Sequence, residues 1–426
     1  SNITQGDDAT ILHEIATSDI KPSKMLQDSL AQMLKGNKEF NMIDDQKIIY
    51  EYAIRTAINT ISSNKKSVMI IKGGPGTGKS VLAINLLIAL NTRNLSCFYV
   101  TKNSAPRNVY SYKLKGKFTK TYINNLFQSS GNFINTEKDK FDCIIADEAH
   151  RLNEKSGRYS NKGENQIKEI INSSKFSIFL IDENQRVTLK DIGRVDLIRQ
   201  FANEMDANIS TYELKSQFRC NGSNGYLSWL DRTLEINDTA NFDFKGFNYD
   251  FRVLDDPNEL RKLIETKNKI NNKSRIVAGY CWEWPSGDSR KDPNYHEIKM
   301  PEKNFEISWN LEDGEYFAIG SNSVHEAGCI HTVQGLEFDY IGVIIGPDMC
   351  YENNHIITDY TKRAKSDYSL RGIKEIAKEQ GQDVAYKIAD EIIKNTYRTL
   401  MTRGMKGCYI YCVDKNLSEY IKKSLN

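Results

Sequence analysis

Eight consecutive residues, Gly73-Gly74-Pro75-Gly76-Thr77-Gly78-Lys79-Ser80, satisfy the pattern G-x-x-x-x-G-K-[ST] in full. Glycines there let the backbone turn its N–H groups toward a phosphate chain without side-chain collision. An apolar run, Ser67 to Ile71, precedes the loop, and a helical pattern from Val81 to Leu90 follows it. A phosphate in the loop would therefore meet the positive end of a helix dipole. Lys79 is placed to reach the β- and γ-phosphates, and the Ser80 hydroxyl to bind Mg²⁺. A second apolar run, Phe141 to Ala146, delivers two adjacent carboxylates, Asp147 and Glu148, followed by Ala149-His150. Ligands of open α/β sheets bind at such C-terminal strand ends. Asp147 suits Mg²⁺, usually through water, and Glu148 suits orienting and deprotonating an attacking water. The chemistry these groups define is binding and hydrolysis of a nucleoside triphosphate.

The elements that must hold these groups alternate along the chain. Val68–Ile71, Ser96–Val100, Phe141–Ala146, Phe176–Ile181 and Ile209–Leu214 read as strands, with helical stretches between most of them. Arg275–Tyr280, Tyr316–Ile319, Tyr340–Ile345 and Cys408–Val413 read as a second set, with a helix over Ala385–Met401 before the last. Continuous apolar strands alternating with helices predict α/β lobes with parallel sheets covered on both faces. The expected division is an N-terminal helical segment without chemistry over 1–40, a first lobe over 41–236 and a second over 237–426. Asn237 to Asn248 is the expected connection, and the proline-bearing stretch Trp284 to Asn304 an expected loop.

The chain has 426 residues, 39% of them hydrophobic, and a net charge of only +2. Two or three globular domains fit that length. No apolar run approaches the roughly 20 residues of a membrane span, and no signal-peptide pattern opens the chain. The eight cysteines form no C-x-x-C pair, which fits reduced thiols in a cytoplasmic protein better than a zinc site. The small net charge requires any nucleic-acid partner to be held by a local groove. Lys362-Arg363-Ala364-Lys365 reads as a solvated helix face. The chain opens on Ser1-Asn2 rather than Met, so a preceding domain is expected to be missing from it.

Further along the chain the order of motifs resembles the motor of superfamily 1 helicases. After Gly73–Ser80 and Asp147–His150 come Phe179-Leu180-Ile181-Asp182-Glu183-Asn184-Gln185, then Leu214 to Arg219, then Thr332-Val333-Gln334-Gly335-Leu336-Glu337, then Leu400-Met401-Thr402-Arg403-Gly404. The segments QFRCNGSNGYLSWLD, HTVQGLEFDYIGVIIGPD and YRTLMTRGMKGCYIYC are more closely similar to the Schlafen-type helicase-like ATPases and their bacterial relatives. The resemblance spans about residues 40 to 415. It implies two RecA-like lobes with ATP and Mg²⁺ between them. By the same resemblance, Asp182 and Gln185 link the γ-phosphate to a nucleic-acid groove, and Arg219 and Arg403 touch the γ-phosphate. Gln46 reads the adenine edge, and Gly335 and Glu337 stand by the ribose.

For the strand itself the resemblance offers Thr101, Lys102, Asn103, Thr332 and Gln334. Tyr280, Trp282 and Trp284 are aromatic candidates for base stacking. Met401 and Gly404 depart from the usual sixth motif, and the short spacings leave little room for the bulky insertions used in duplex separation. The expected function is Mg-dependent ATP hydrolysis coupled to single-stranded DNA or RNA. The rivals are an ATP-controlled switch acting on a protein partner, and the motor half of a nuclease whose effector domain lies N-terminal to this chain or on a separate one.

Overall fold

The computed structural model describes residues 25–37, 39–40, 42, 44–157, 161–215, 224–237, 249–284, 292–311 and 316–425. Two helices, α1 (Leu26–Leu34) and α2 (Asp44–Ser63), lead into β1 (Ser67–Gly73), the phosphate loop and α3 (Lys79–Thr92). Then come β2 (Cys97–Val100), α4 (Ser104–Leu114), α5 (Lys120–Leu126), β3 (Phe127–Gln128), β4 (Phe141–Ala146), α6 (Gln166–Ser173), β5 (Ser174–Ile181), α7 (Val195–Glu204) and β6 (Asn208–Leu214). The strands form a six-stranded parallel sheet in the order β3-β2-β4-β5-β1-β6. The carboxylates after β4 and the loop after β1 thus leave the same edge of one sheet, with β5 between them. Apolar residues on both faces of β1 and β5 are fully buried, as central parallel strands require.

The second lobe opens with α8 (Asn224–Thr233), β7 (Asp250–Leu254), α9 (Pro257–Asn271) and β8 (Ser274–Ala278). It continues through β9 (Ile298–Met300), β10 (Phe305–Trp309), β11 (Glu326–Gly328), α10 (Ile330–Val333) and β12 (Phe338–Ile345). A hairpin, β13 (Met349–Glu352) with β14 (His355–Thr358), is followed by α11 (Ile373–Gln380), α12 (Gln382–Met401), β15 (Gly404–Cys412) and α13 (Lys415–Ser424). The seven-stranded sheet runs β7-β15-β12-β8-β11-β10-β9 and is parallel except for β9 at its edge. Two helix-flanked parallel sheets are the two α/β lobes that the alternation of strands and helices predicts. Among the described residues no helix is long and apolar enough to cross a membrane.

Three expectations are corrected. Tyr316–Ile319 is a turn, not a strand. Ile319 and Gly320 N–H groups donate to the Tyr316 carbonyl at 2.9 and 2.7 Å, while the Phe317, Ala318 and Gly320 carbonyls cap the buried Arg275 guanidinium at 2.8, 3.2 and 2.8 Å. Carbonyls spent on a guanidinium cannot pair in a sheet, and β10 and β11 fill the sheet instead. The stretch expected as a loop before Asn304 contains β9, which pairs Met300 with Phe305. Arg363 is not on a solvated helix face. It is buried and ion-paired with Asp348 at 3.0 Å and Asp367 at 2.6 Å, because a buried guanidinium needs carboxylate partners. The helix α8 packs Tyr226, Trp229 and Leu230 against the second sheet, with the Trp229 ring 5.0 Å from that of Phe251. Of the expected connection Asn237 to Asn248, residues 238–248 lie outside the described residues.

Candidate nucleotide site between the lobes

The phosphate loop has the backbone that its glycines allow. Gly76 and Gly78 sit at φ 80° and 81°, in the left-handed region that a Cβ disfavours, and Gly78 caps α3. Lys79 donates to the loop's own carbonyls, Gly73 O at 2.6 Å and Gly74 O at 2.9 Å. Thr77 Oγ1 donates to Gly74 O at 3.0 Å. Behind the loop, buried Gln46 donates from Nε2 to Thr77 O at 2.9 Å.

The Ser80 hydroxyl donates to Asp147 Oδ2 at 2.6 Å. Tyr99 OH, from β2, donates to the same oxygen at 2.6 Å, and the Glu148 N–H donates to Oδ1 at 2.9 Å. A hydroxyl and a carboxylate facing each other across a phosphate loop are a hard-oxygen donor set of the kind Mg²⁺ accepts. Burial, together with the neighbouring Glu148 charge, pushes the Asp147 carboxyl up. Glu148 stands at φ 53° and ψ 44°, a left-handed conformation rare outside glycine. Burial would raise its carboxyl too, but the charges of His150, Lys79 and Arg403 outweigh it and hold the group well below the usual carboxylate range. His150 is fully buried. Its Nδ1 accepts from the Asp182 N–H at 3.4 Å, which leaves Nε2, 3.0 Å from Glu148 Oε2, as the protonated nitrogen.

From there the polar contacts cross to the second lobe. Gln185 Nε2 donates to Asp182 Oδ2 at 2.6 Å, and Arg403 Nη2 donates to Gln185 Oε1 at 3.2 Å. Gln334 donates to Gln185 O at 3.1 Å and accepts from Arg151, which in turn donates to Asp191 at 3.1 Å. Asn103 Nδ2 donates to Gln334 O at 2.6 Å. Gly335 lies at φ +83°, and a Cβ there would come within 2.7 Å of Pro106 on α4. Lys79, Ser80, Glu148, Gln185, Gly335 and Glu337 line one cavity over the phosphate loop. Asp147 borders it through its bond to Ser80.

The strand candidates are less uniform. Thr101 is buried and its hydroxyl has no partner among the described residues. Burial and the Arg151 charge pull the Lys102 ammonium down to about 8. Thr332 spends its hydroxyl capping α10, donating to Cys329 O at 2.9 Å and accepting from Cys329 N at 3.0 Å. Tyr280 is buried against Trp309 with ring centroids 5.0 Å apart, leaving no face for a base. Trp282 is half-buried, 6.0 Å from the same ring. Arg219 lies outside the described residues.

Sequence reasoning missed Tyr99, His150, Arg151, Leu26 and Gln27. His150 ends the Asp147–His150 motif, but nothing local in the sequence shows that it stands against Glu148. Leu26 and Gln27 line the nucleotide cavity from α1, so the segment expected to lack chemistry contributes to the site. No local pattern marks them, because they reach the cavity only through tertiary packing.

A phosphate-loop fold with a carboxylate pair on the neighbouring strand and a second lobe closing over both defines a helicase-like P-loop NTPase. The sequence profile of the Schlafen group 3 DNA/RNA helicase domain matches residues 66–414, and the chain belongs to that family. An uncharacterized protein of Saccharomyces cerevisiae is 25% identical over 390 residues, covering 83% of each chain. Among solved structures, Bacteroides sp. Pif1 in complex with ADP-AlF4 aligns over 80% of this chain and 98% of its own, at 12% identity and a TM-score of 0.30. Domain III of the replication initiation protein DnaA from Thermotoga maritima aligns over 46% and 72%, at 16% identity and a TM-score of 0.25. Superpositions that loose add nothing to the fold visible in the strand order.

Proposed function

We propose that this protein hydrolyses ATP with Mg²⁺ between its two lobes and couples the hydrolysis to binding of single-stranded DNA or RNA. The observation that carries the reading is the unbroken line of polar contacts from Ser80 and Asp147 through Glu148, His150 and Gln185 to Gln334 and Arg403 on the opposite lobe. Ser80 and Asp147 would hold the metal ion, which when bound withdraws charge from the phosphates. The loop N–H groups and Lys79 would bind the β- and γ-phosphates, Lys79 leaving the carbonyls it now contacts. Glu148 holds an attacking water and takes its proton, with His150 Nε2–H steadying the carboxylate. Arg403, and Arg219 by its motif, neutralise the γ-phosphate oxygens as charge builds there. Thr101, Lys102, Asn103 and Gln334 would face the strand's backbone where the lobes meet, with Trp282 beside them. Hydrolysis then loosens the contact on which Arg403 and Gln334 depend, and the lobes shift along the strand. Steady-state phosphate release tests the hydrolytic half. Lys79→Ala should lose nucleotide binding, whereas Glu148→Gln should bind ATP and turn it over about 10²–10⁴ times more slowly. Wild-type turnover by Glu148→Gln would remove that residue from the mechanism.

A further inference from the structure

We infer that Tyr99 and Tyr110 are positioning residues for the metal end of the site: Tyr99 holds the Asp147 carboxylate in the orientation that an ion on Ser80 requires, and Tyr110 holds Tyr99. The inference rests on the reading above of ATP bound with Mg²⁺. Asp147 is 1% exposed and stands beside a second buried carboxylate, Glu148. A carboxylate in that setting needs hydrogen-bond donors. Three reach it. The Glu148 N–H donates to Oδ1 at 2.9 Å, and the Ser80 and Tyr99 hydroxyls each donate to Oδ2 at 2.6 Å. The first comes from the next residue of the chain, and the second from the other half of the metal donor set. Tyr99 comes from a different strand and has no other part in the site. It fixes, from outside the pair, the oxygen that faces Ser80.

The phenol is held as firmly as its partner. Tyr99 lies on β2, paired with Ile145 of β4 on one side and Phe127 of β3 on the other. Its buried ring meets Phe127 edge-on at 5.6 Å and Tyr110 edge-on at 6.1 Å, and those two rings stand 5.4 Å apart. Edge-to-face packing of that kind fixes the direction of a ring. Tyr110 brings its hydroxyl to that of Tyr99 and lines the cavity over the phosphate loop. Its helix, α4, is also seated on the second lobe. Ala105 and Val109 join that lobe's apolar cluster, and the cap residue Asn103 donates to the Gln334 carbonyl at 2.6 Å. The series Asp147, Tyr99, Tyr110 therefore ends on a helix that both lobes hold. Outer groups that orient metal ligands in this way are worth roughly 10- to 100-fold in metal affinity. A core tyrosine that merely used Asp147 as its nearest acceptor would leave that affinity unmoved.

The test is binding of Mn²⁺, which takes the same oxygen ligands as Mg²⁺, to the full chain saturated with a non-hydrolysable ATP analogue. Electron paramagnetic resonance reads it in the wild type, Tyr99→Phe, Tyr110→Phe, Asp147→Asn and the double variant of Tyr99→Phe with Asp147→Asn. Calorimetric binding of the analogue in EDTA shows that each variant is folded. Tyr99→Phe should bind the metal-free analogue as the wild type does and weaken Mn²⁺ by roughly 10- to 100-fold. Tyr110→Phe should weaken it by roughly two- to tenfold, the worth of one hydrogen bond. In the Asp147→Asn background Tyr99→Phe should add nothing, because its effect passes through that carboxylate. Wild-type or tighter Mn²⁺ binding by Tyr99→Phe, or the same loss with and without Asp147, would overturn the inference. Should Tyr99→Phe fail to bind the metal-free analogue, Tyr110→Phe decides, and unchanged Mn²⁺ affinity there overturns it. A wild type that binds the analogue but takes up no Mn²⁺ would instead sink the metal reading itself, and one that does not bind the analogue would sink the nucleotide reading.

Discussion

Lys102 illustrates how a single residue's environment makes a function measurable. It is a half-buried ammonium beside Arg151, with burial and that charge lowering it to about 8. A strand phosphate in contact would favour the charged form, so binding takes up a proton wherever the free lysine has lost one. The sign follows: affinity is full below pH 8 and declines as pH rises through it. Fluorescence anisotropy with a labelled single strand from pH 7 to 9 should show this decline, and Lys102→Arg, which stays charged, should flatten it. A wild-type affinity independent of pH over that range would place Lys102 off the strand. Arg403 makes the complementary case on the hydrolytic side. It reaches Gln185 from the far lobe, and loss of such an arginine costs roughly 10³–10⁵ in rate. Arg403→Ala should therefore lower kcat far more than it raises the ATP dissociation constant, as measured by phosphate release and direct binding. Normal turnover would mean that the lobes do not close on the nucleotide.

At the scale of elements, what was legible in the sequence and what was not follow from the range of the forces involved. The phosphate loop, the strand bearing Asp147 and Glu148, and the apolar central strands declare themselves locally, by glycine chemistry and by continuous burial. The turn at Tyr316 looked like a strand because its composition is aromatic and β-branched; only Arg275, forty residues earlier in sequence, decides that its carbonyls cap a guanidinium. Arg363 looked solvated because its neighbours are lysines, and the carboxylates that bury it come from Asp348 and Asp367. The Gly404 departure from the usual sixth motif has a reason that sequence alone hides: a Cβ there would sit 2.1 Å from Gly407 O, at the register shift between β12 and β15. Gly335 is the element-scale test. Alanine would be strained at φ +83° and would push Pro106 away, a cost of about 1–3 kcal/mol. Gly335→Ala should lower the melting temperature modestly and, by separating α4 from the second lobe, reduce kcat. Unchanged turnover would show that this close approach is not needed for catalysis.

Across the whole molecule the lobes are joined by Ala105, Val109 and Val187, which belong to the apolar cluster of the second lobe, and by a polar interface of side-chain amides, guanidinium groups and carboxylates: Asn103, Arg151, Gln185, Gln334, Arg403, with Asp28 on the outer helix. Polar interfaces of that kind exchange partners with water readily and suit two bodies that must part and rejoin. The modest net charge of +2 limits the phosphates a groove can neutralise, so the salt dependence of strand binding should be shallow, near −0.7 per contact on a log–log scale. The most direct measurement is steady-state phosphate release by the wild type alone and with single-stranded DNA, single-stranded RNA and blunt duplex. A single strand should stimulate ATP turnover, and blunt duplex should do so less, because the proposed groove would take unpaired bases. Active basal turnover that no single strand changes would contradict the coupling and leave an ATP-controlled switch for a protein partner in its place.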